Sequence, residues 1–242
     1  IASLTKLMSY LLIQEALEAG SIHADDLVPI SPAAAELARS ADGVLPLTAG
    51  TTLPFQELLD AMLLASSNEA ALALAEHVSG SEAAFVEAMN QRAQALHLNS
   101  ARFYSAHGLP VYTHSATPVK QQNRMSASDM FRLIRYLLDQ QPQLTAITSR
   151  QFGQMPSVPY TTANSNPLVF NMPGVSGLKT GSTNKAGYCL AATLPMTVDG
   201  ETHTVVLVLL GAETADVRGQ AAQILLEYAV RTLGEDHANR AA

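Results

Sequence analysis

Three short polar clusters, far apart along the chain, place the strongest constraint on how it folds. They are Ser3-Leu4-Thr5-Lys6, Ser66-Ser67-Asn68 and Lys179-Thr180-Gly181, which read S-x-x-K, S-x-N and K-T-G in that order. Any one of them alone is a weak signal, since serine, lysine and glycine are common residues. Together they are the motif set of enzymes that acylate an active-site serine. They predict a fold that gathers a hydroxyl, two amines and a carboxamide around one carbonyl group.

The composition of the chain argues against several kinds of partner. The formal net charge is −7 and no run of basic residues occurs, so we expect no nucleic acid partner. The longest apolar run, residues 205–210, is far shorter than the roughly 20 residues that cross a bilayer. We therefore expect membrane association only through segments absent from this chain. A length of 242 residues is ample for a large buried core.

Metal and cofactor chemistry find no support in the sequence. The single cysteine, Cys189, excludes an internal disulfide, and we interpret it as a small buried hydrophobe in a strand. The seven histidines show no H-E-x-x-H or comparable spacing, which disfavours a zinc peptidase. We predict that the site uses neither a metal nor a cofactor.

Apolar periodicity predicts a chain that is mostly helical at first and mostly sheet later. Apolar residues recur at helical steps over 4–19, and Gly20 is a natural stop. Further helices are predicted at 55–65, 68–77, 82–95, 126–138 and 216–232. Strands are predicted at 177–181, 188–195 and 202–211, with Asp199-Gly200 in a hairpin between the last two. The prediction is an α+β fold, with a helical part at about 21–150, a sheet part at about 151–233 and a tail at 234–242.

The first motif provides a nucleophile and a base. A serine hydroxyl attacks poorly until a base takes its proton. Ser3 and Lys6 are three residues apart at the start of a predicted helix, so their side chains share a face. Lysine is normally protonated at neutral pH. To act as the base, Lys6 needs burial or a cationic neighbour that lowers its pKa, and Lys179 is a candidate for that neighbour. An isolated S-x-x-K is more often a capping serine beside a solvated lysine.

The second motif lies between two predicted helices, where side chains can point into a cleft. Ser66 is a candidate for relaying a proton to the leaving amine, and Asn68 offers a donor and an acceptor to a substrate amide. Ser67 caps the following helix in the alternative interpretation. Both interpretations hold together, because they use different residues.

The third motif suits peptide binding along a strand edge. A glycine at Gly181 lets another backbone approach, and Lys179 and Thr180 would bind a carboxylate and an amide. The backbone N–H groups of Ser3 and Ser182 are candidates for an oxyanion hole. A phosphate loop is excluded, because Leu178 separates Gly177 from Lys179.

Arg218 is a further candidate for the substrate site. It lies at the start of the last predicted helix, soon after a strand, and an arginine fork matches a terminal carboxylate. The competing interpretation is an ordinary surface arginine.

With these motifs the sequence resembles the low-molecular-mass penicillin-binding proteins, specifically the serine-type D-alanyl-D-alanine carboxypeptidases. The resemblance covers about residues 1–233. Besides the three motifs, it rests on Leu64-Ala65-Ser66-Ser67-Asn68-Glu69-Ala70-Ala71, His107-Gly108-Leu109, Ser126-Ala127-Ser128-Asp129-Met130 and Gly177-Leu178-Lys179-Thr180-Gly181-Ser182-Thr183-Asn184-Lys185-Ala186-Gly187-Tyr188.

The resemblance implies a fold, an activity and a set of roles. The fold would be β-lactamase/transpeptidase-like, an antiparallel sheet flanked by helices. The activity would be removal of the terminal D-alanine from peptidoglycan stem peptides through an acyl-enzyme, with covalent inhibition by β-lactams. Ser3 would be the nucleophile, Lys6 the base and Ser66 a proton shuttle, whereas Asn68, Lys179, Thr180, Gly181, Ser182 and Arg218 would bind substrate. The location would be outside the cytoplasmic membrane of a bacterium.

The sequence departs from the resembled family in three respects. Strands that precede S-x-x-K in the family are absent, so we expect a fragment that lacks its natural beginning and any export signal. Without these neighbours the strand at 202–211 would be an exposed apolar edge, and we expect the isolated chain to be poorly stable and inactive. As the second departure, we expect this chain to lack the C-terminal β-rich domain and the anchor of the family. As the third, the stretch 109–125 is longer than expected. Ser182 also stands where many relatives carry a histidine.

Two other functions use the same first chemical step. A serine β-lactamase shares the acylation residues, but a fast class A enzyme needs an E-x-x-L-N loop, which does not occur between Asn68 and Lys179. A non-catalytic penicillin-binding sensor would be acylated and stay so. The motifs do not separate these functions, nor a carboxypeptidase from an endopeptidase that acts on cross-links.

Overall fold

The structure is a computed structural model that describes residues 1–113, 115–158, 160–198 and 200–240. The helices are α1 Lys6–Glu18, α2 Pro32–Arg39, α3 Phe55–Asp60, α4 Asn68–Ser79, α5 Glu82–Ala95, α6 Ala127–Gln140, α7 Gln143–Thr148, α8 Leu168–Asn171 and α9 Ala215–Arg240. A 3₁₀ turn, Ala2–Thr5, precedes α1, and a π-helical turn, Ala61–Ala65, follows α3. The strands are β1 Leu27–Pro29, β2 Thr52–Pro54, β3 Val111–Tyr112, β4 Lys120–Gln121, β5 Phe152–Met155, β6 Tyr160–Ala163, β7 Leu178–Thr183, β8 Gly187–Val198 and β9 Glu201–Ala212.

The predicted α+β plan is confirmed, with differences in detail. The predicted helix 4–19 is a 3₁₀ turn followed by α1, and the predicted helix 55–65 is α3 followed by the π-helical turn. The closing helix extends to Arg240, so the predicted tail is helical as far as that residue. Asp199 of the predicted hairpin lies outside the described residues.

The main sheet has the antiparallel order β7-β8-β9 among the described strands. Side chains on alternate positions of β8 and β9 face opposite sides, as strand geometry requires. Leu190 and Leu194 of β8 and Val205 of β9 pack with Leu226 of α9. Cys189, Ala191 and the alternate positions of β9 face the large helical core. The sheet is therefore covered by α9 on one side and by the helical body on the other.

Helix α1 passes through the centre of the helical body. Its residues from Lys6 to Gln14 are all buried, which accounts for an apolar pattern that extends around the helix. Three helices around it begin with serine caps: Ser67, Ser81 and Ser126 each accept a backbone N–H of the first turn. The first motif therefore lies at the start of the most buried helix.

Strand β9 lies at the edge of the described sheet, since it pairs with β8 alone. Its apolar residues are only half-buried, because α6 and α9 cover its faces but no strand of the described residues covers its outer edge. We expect the isolated chain 1–242 to self-associate through this edge. Light scattering after size exclusion should show this, and Thr204→Lys, a charge at an exposed edge position, should reduce it. A monodisperse, active monomer would contradict the expectation.

Candidate active site

Lys6 lies at the centre of a buried cluster of polar groups. Its Nζ donates to Asn68 Oδ1 at 2.7 Å and to the His107 carbonyl at 2.8 Å, and it lies 3.0 Å from Ser3 Oγ. The 3₁₀ turn brings Ser3 and Lys6 together, because positions three apart are stacked in such a turn. A neutral amine has two N–H groups and one lone pair. In that form, with both N–H groups engaged by the Asn68 and His107 oxygens, the lone pair would remain available to the Ser3 hydroxyl.

Burial lowers the pKa of Lys6 well below its usual value. The loss of hydration is the largest cause, and the charge of Lys179 adds to it, whereas Glu69 opposes both. The sequence prediction that burial and Lys179 act on Lys6 is confirmed in its direction. Lys6 is thus suited to take a proton from Ser3.

The second motif follows the π-helical turn. Ser66 adopts a left-handed backbone, with φ of 63°, which is uncommon outside glycine. Its partly exposed hydroxyl has no hydrogen-bonding partner among the described residues. Ser67 caps α4 through Ala70 N, as predicted. Asn68 reaches Lys6, so the structure brings the first and second motifs into direct contact.

The third motif lies on β7, opposite the 3₁₀ turn. Lys179 Nζ lies 3.4 Å from Ser165 Oγ, and Thr180 Oγ1 lies 2.8 Å from the same oxygen. Ser165 N in turn donates to the Leu64 carbonyl, two residues before Ser66. The Ser165 hydroxyl therefore connects the K-T-G strand to the S-x-N turn.

Gly181 provides the space in which β7 and the 3₁₀ turn meet. A Cβ atom at this position would lie 2.7 Å from Ser3 N and 3.1 Å from Leu4 N. The sequence predicts that this space admits a substrate backbone, and the structure shows the backbone of Ser3 beside it. Any side chain at residue 181 would displace Ser3.

Ser182 and Arg218 are the remaining predicted site residues. Ser182 lines a cleft of about 650 Å³, together with Asp42, Thr183 and Tyr188. Arg218 is 8% exposed, its guanidinium lies 5.9 Å from the Tyr188 ring centroid, and its Nε has no partner among the described residues. Arg218 is also close enough to lower the pKa of Lys179. It is therefore not an ordinary surface arginine.

Three groups in the site were not singled out from the sequence. Ser165 lies in a loop outside the predicted motifs. His107 belongs to a segment of the resemblance, but its contact with Lys6 is made by a main-chain carbonyl, which residue type does not reveal. Glu69 adjoins Asn68 and is fully buried, as described below. An acidic residue directly after the S-x-N motif, in a predicted helix, is the signal that sequence analysis could have used for Glu69.

The described part of the chain offers no cluster of three or more histidine, cysteine or acidic side chains that could bind a metal. Within the same residues, no helix has both the length and the apolar character needed to cross a membrane.

Comparisons with known proteins agree on one family. The family model of the D-alanyl-D-alanine carboxypeptidases, Peptidase S11, matches residues 1–214. The D-alanyl-D-alanine carboxypeptidase DacF of Bacillus subtilis is 33% identical over 94% of this chain and 55% of its own length. The carboxypeptidase DacD of Escherichia coli is 30% identical over 94% of this chain and 56% of its own length. The chain thus spans about half the length of these relatives.

Solved structures show the same fold. Penicillin-binding protein D2 of Listeria monocytogenes, in its ampicillin-bound form, superimposes with a TM-score of 0.79 at 30% identity. The match covers 94% of this chain and 86% of that protein. The predicted penicillin-binding, transpeptidase-like fold is therefore confirmed.

Proposed function

Because this chain belongs to the S11 peptidase family of D-alanyl-D-alanine carboxypeptidases, we propose that it removes the terminal D-alanine from peptidoglycan stem peptides. The observation that carries the proposal is the position of Lys6 Nζ, within 3.0 Å of Ser3 Oγ, 2.7 Å of Asn68 Oδ1 and 2.8 Å of the His107 carbonyl. This geometry presents a desolvated amine to a serine hydroxyl. The action would take place outside the cytoplasmic membrane of a bacterium.

Acylation begins when Lys6 Nζ takes the proton of the Ser3 hydroxyl. Ser3 Oγ then forms a bond to the carbonyl carbon of the penultimate D-alanine. The backbone N–H groups of Ser3 and Ser182 stabilise the negative charge on the carbonyl oxygen. The C–N bond breaks, and the proton passes from Lys6 through the Ser66 hydroxyl to the leaving amine. Free D-alanine departs and Lys6 is neutral again.

Deacylation repeats the chemistry with water as the nucleophile. Lys6 takes a proton from the water, the water oxygen bonds to the acyl carbon, and the ester C–O bond breaks. The proton returns to Ser3 Oγ. The peptide leaves shortened by one residue.

The substrate's terminal carboxylate is held by Lys179, Thr180 and Arg218. Lys179 and Arg218 supply positive charge, and the Thr180 hydroxyl supplies a donor. Asn68 holds the amide on the other side of the scissile bond. A β-lactam carries a carboxylate and a reactive carbonyl, so it would acylate Ser3 in the same way.

The experiment that tests this proposal combines two measurements on the complete gene product. Diacetyl-L-Lys-D-Ala-D-Ala is supplied and free D-alanine is assayed, and a penicillin adduct is mapped by mass spectrometry. We expect D-alanine release and an adduct on Ser3. An adduct without release would identify a sensor instead, and hydrolysis of nitrocefin far faster than of the peptide would identify a β-lactamase.

The pH dependence of the reaction should report the state of Lys179. Burial, with the charge of Arg218 as a smaller cause, lowers the pKa of Lys179 to about 7. The protonated form binds a carboxylate, so kcat/KM should fall as the pH rises above about 7, approaching tenfold per unit. The Lys179→Arg variant stays charged, so its kcat/KM should not show this fall at high pH, the basic limb. Its maximal kcat/KM should be lower than that of the wild type. An unchanged basic limb in Lys179→Arg would exclude Lys179 as its source.

A further inference from the structure

Glu69 is a buried carboxylate that the mechanism above does not use. Its side chain is fully buried, and it forms no ion pair with a described cation. Oε1 accepts the backbone N–H of Val44 at 2.7 Å and also that of Leu45. Oε2 has no partner among the described residues. Burying a charged carboxylate without a cationic partner costs folding free energy, so a structural or functional role should offset the cost.

Asn68, the neighbour of Glu69, binds the same segment of chain. Its Nδ2 donates to the Asp42 carbonyl at 3.0 Å, while its Oδ1 accepts from Lys6 Nζ. A carbonyl accepts only from the NH₂ side of a carboxamide. The Asp42 carbonyl therefore turns Asn68 Oδ1 towards Lys6.

The segment 42–45 also borders the cleft. Asp42 lines it together with Ser182 and Thr183 of β7. The segment has no strand or helix of its own, so its position depends on the groups that bind it. Three of these hydrogen bonds come from Asn68 and Glu69.

We propose that Glu69 is a positioning residue that fastens the segment 42–45, which begins at the cleft-lining Asp42, and thereby fixes the orientation of the Asn68 carboxamide. A carboxylate suits this task because a charged acceptor binds two N–H groups more strongly than a neutral one does. The proposal extends the proposed function, since the segment and the carboxamide serve the acylation of Ser3.

The charge of Glu69 has a second consequence. It opposes the burial and the Lys179 charge that lower the pKa of Lys6. Removing the charge should lower the pKa of Lys6 further. The acylation rate falls at low pH as Lys6 becomes protonated, and this fall, the acid limb, should therefore move to lower pH. A residue that only supported the fold would leave this limb unchanged.

Glycine at position 43 offers an independent way to disturb the segment. A Cβ atom there would lie 2.1 Å from the Ala38 carbonyl oxygen, a backbone atom that cannot turn aside. Gly43→Ala should therefore displace the segment while leaving Glu69 unchanged.

The test uses Glu69→Ala, Glu69→Gln and Gly43→Ala in the complete gene product. Glu76→Gln is the matched control, because Glu76 lies on the same helix and also has a buried oxygen without a partner. Hydrogen exchange measures how fast the Val44 and Leu45 backbone amides exchange with solvent. Labelling by a fluorescent penicillin measures the acylation rate as a function of pH.

We expect Glu69→Ala to speed exchange of both amides at least about tenfold and to slow acylation about 10- to 100-fold. Gly43→Ala should do the same without moving the acid limb. Glu69→Gln should keep most of the protection, through its amide oxygen, but move the acid limb to lower pH. Glu76→Gln should match the wild type in amide exchange, in acylation rate and in the position of the acid limb.

Amide exchange in Glu69→Ala that is unchanged from the wild type would overturn the proposal. Acylation of Glu69→Ala within about twofold of the wild-type rate, with the acid limb at the same pH, would overturn it as well. The exchange measurement requires no turnover. It therefore separates a failure of this proposal from a failure of the proposed function, which would show as a wild-type protein that releases no D-alanine.

Discussion

Replacing Lys6 with methionine should slow the acylation of Ser3 by about 10²- to 10⁴-fold, towards the level of Ser3→Ala. Methionine fills a similar volume but has no basic nitrogen. The Ser3 hydroxyl would keep its proton, and the Asn68 and His107 oxygens would lose their donor. The rate of labelling by a fluorescent penicillin measures the loss.

The matched control is Lys185→Met, which makes the same change at an exposed lysine just beyond β7. It should label at close to the wild-type rate. Labelling of Lys6→Met within about tenfold of wild type would show that another group activates Ser3.

The same substitution should change how stability depends on pH. Burial lowers the pKa of Lys6 in the folded protein, whereas an unfolded lysine titrates near 10.4. Between these two values the unfolded chain binds a proton that the folded protein does not. The wild type should thus lose about 1.4 kcal/mol per pH unit, relative to Lys6→Met, as the pH falls through this window. Urea unfolding at several pH values below 10 measures the difference, and parallel pH curves for the two proteins would show that Lys6 keeps an ordinary pKa.

The sequence was sufficient to predict those parts of the site that depend on side-chain type and local periodicity. Ser3 and Lys6 are three residues apart, and local geometry alone brings them together. Ser67 and Asn68 lie where the sequence predicts the start of a helix, and the cap at Ser67 forms as expected. Strands β7, β8 and β9 follow from β-branched and apolar runs between glycine-rich turns.

Other parts depend on which segments meet, and a single sequence does not record this. The Ser165 hydroxyl contacts β7 only because the loop after β6 folds back onto the strand. Helix α2, made largely of alanine, lies against α4, and its short pattern is too weak to predict. The π-helical turn inserts an irregularity that apolar periodicity does not reveal. Contact between distant segments, rather than residue chemistry, is the information that was missing.

Gly181→Ala tests such a contact and should lower kcat by about 10²- to 10³-fold, as the loss of an oxyanion-hole donor does. The added methyl group would lie 2.7 Å from Ser3 N, a backbone atom that can yield only if the 3₁₀ turn moves. That movement would displace both the Ser3 hydroxyl and the Ser3 N–H group. Steady-state kinetics with diacetyl-L-Lys-D-Ala-D-Ala measure the effect.

The division of the effect between kcat and KM separates the two interpretations of Gly181. If the glycine mainly admits the substrate backbone, alanine should raise KM and change kcat little. If it mainly admits Ser3, kcat should fall, because the displaced groups act on the transition state. Gly219→Ala is the control, since a Cβ atom at this position of α9 meets no other atom within 4 Å. That variant should keep full activity and gain up to about 1 kcal/mol of helix stability. A Gly181→Ala protein with wild-type kcat would show that the 3₁₀ turn and β7 do not meet as closely as the structure places them.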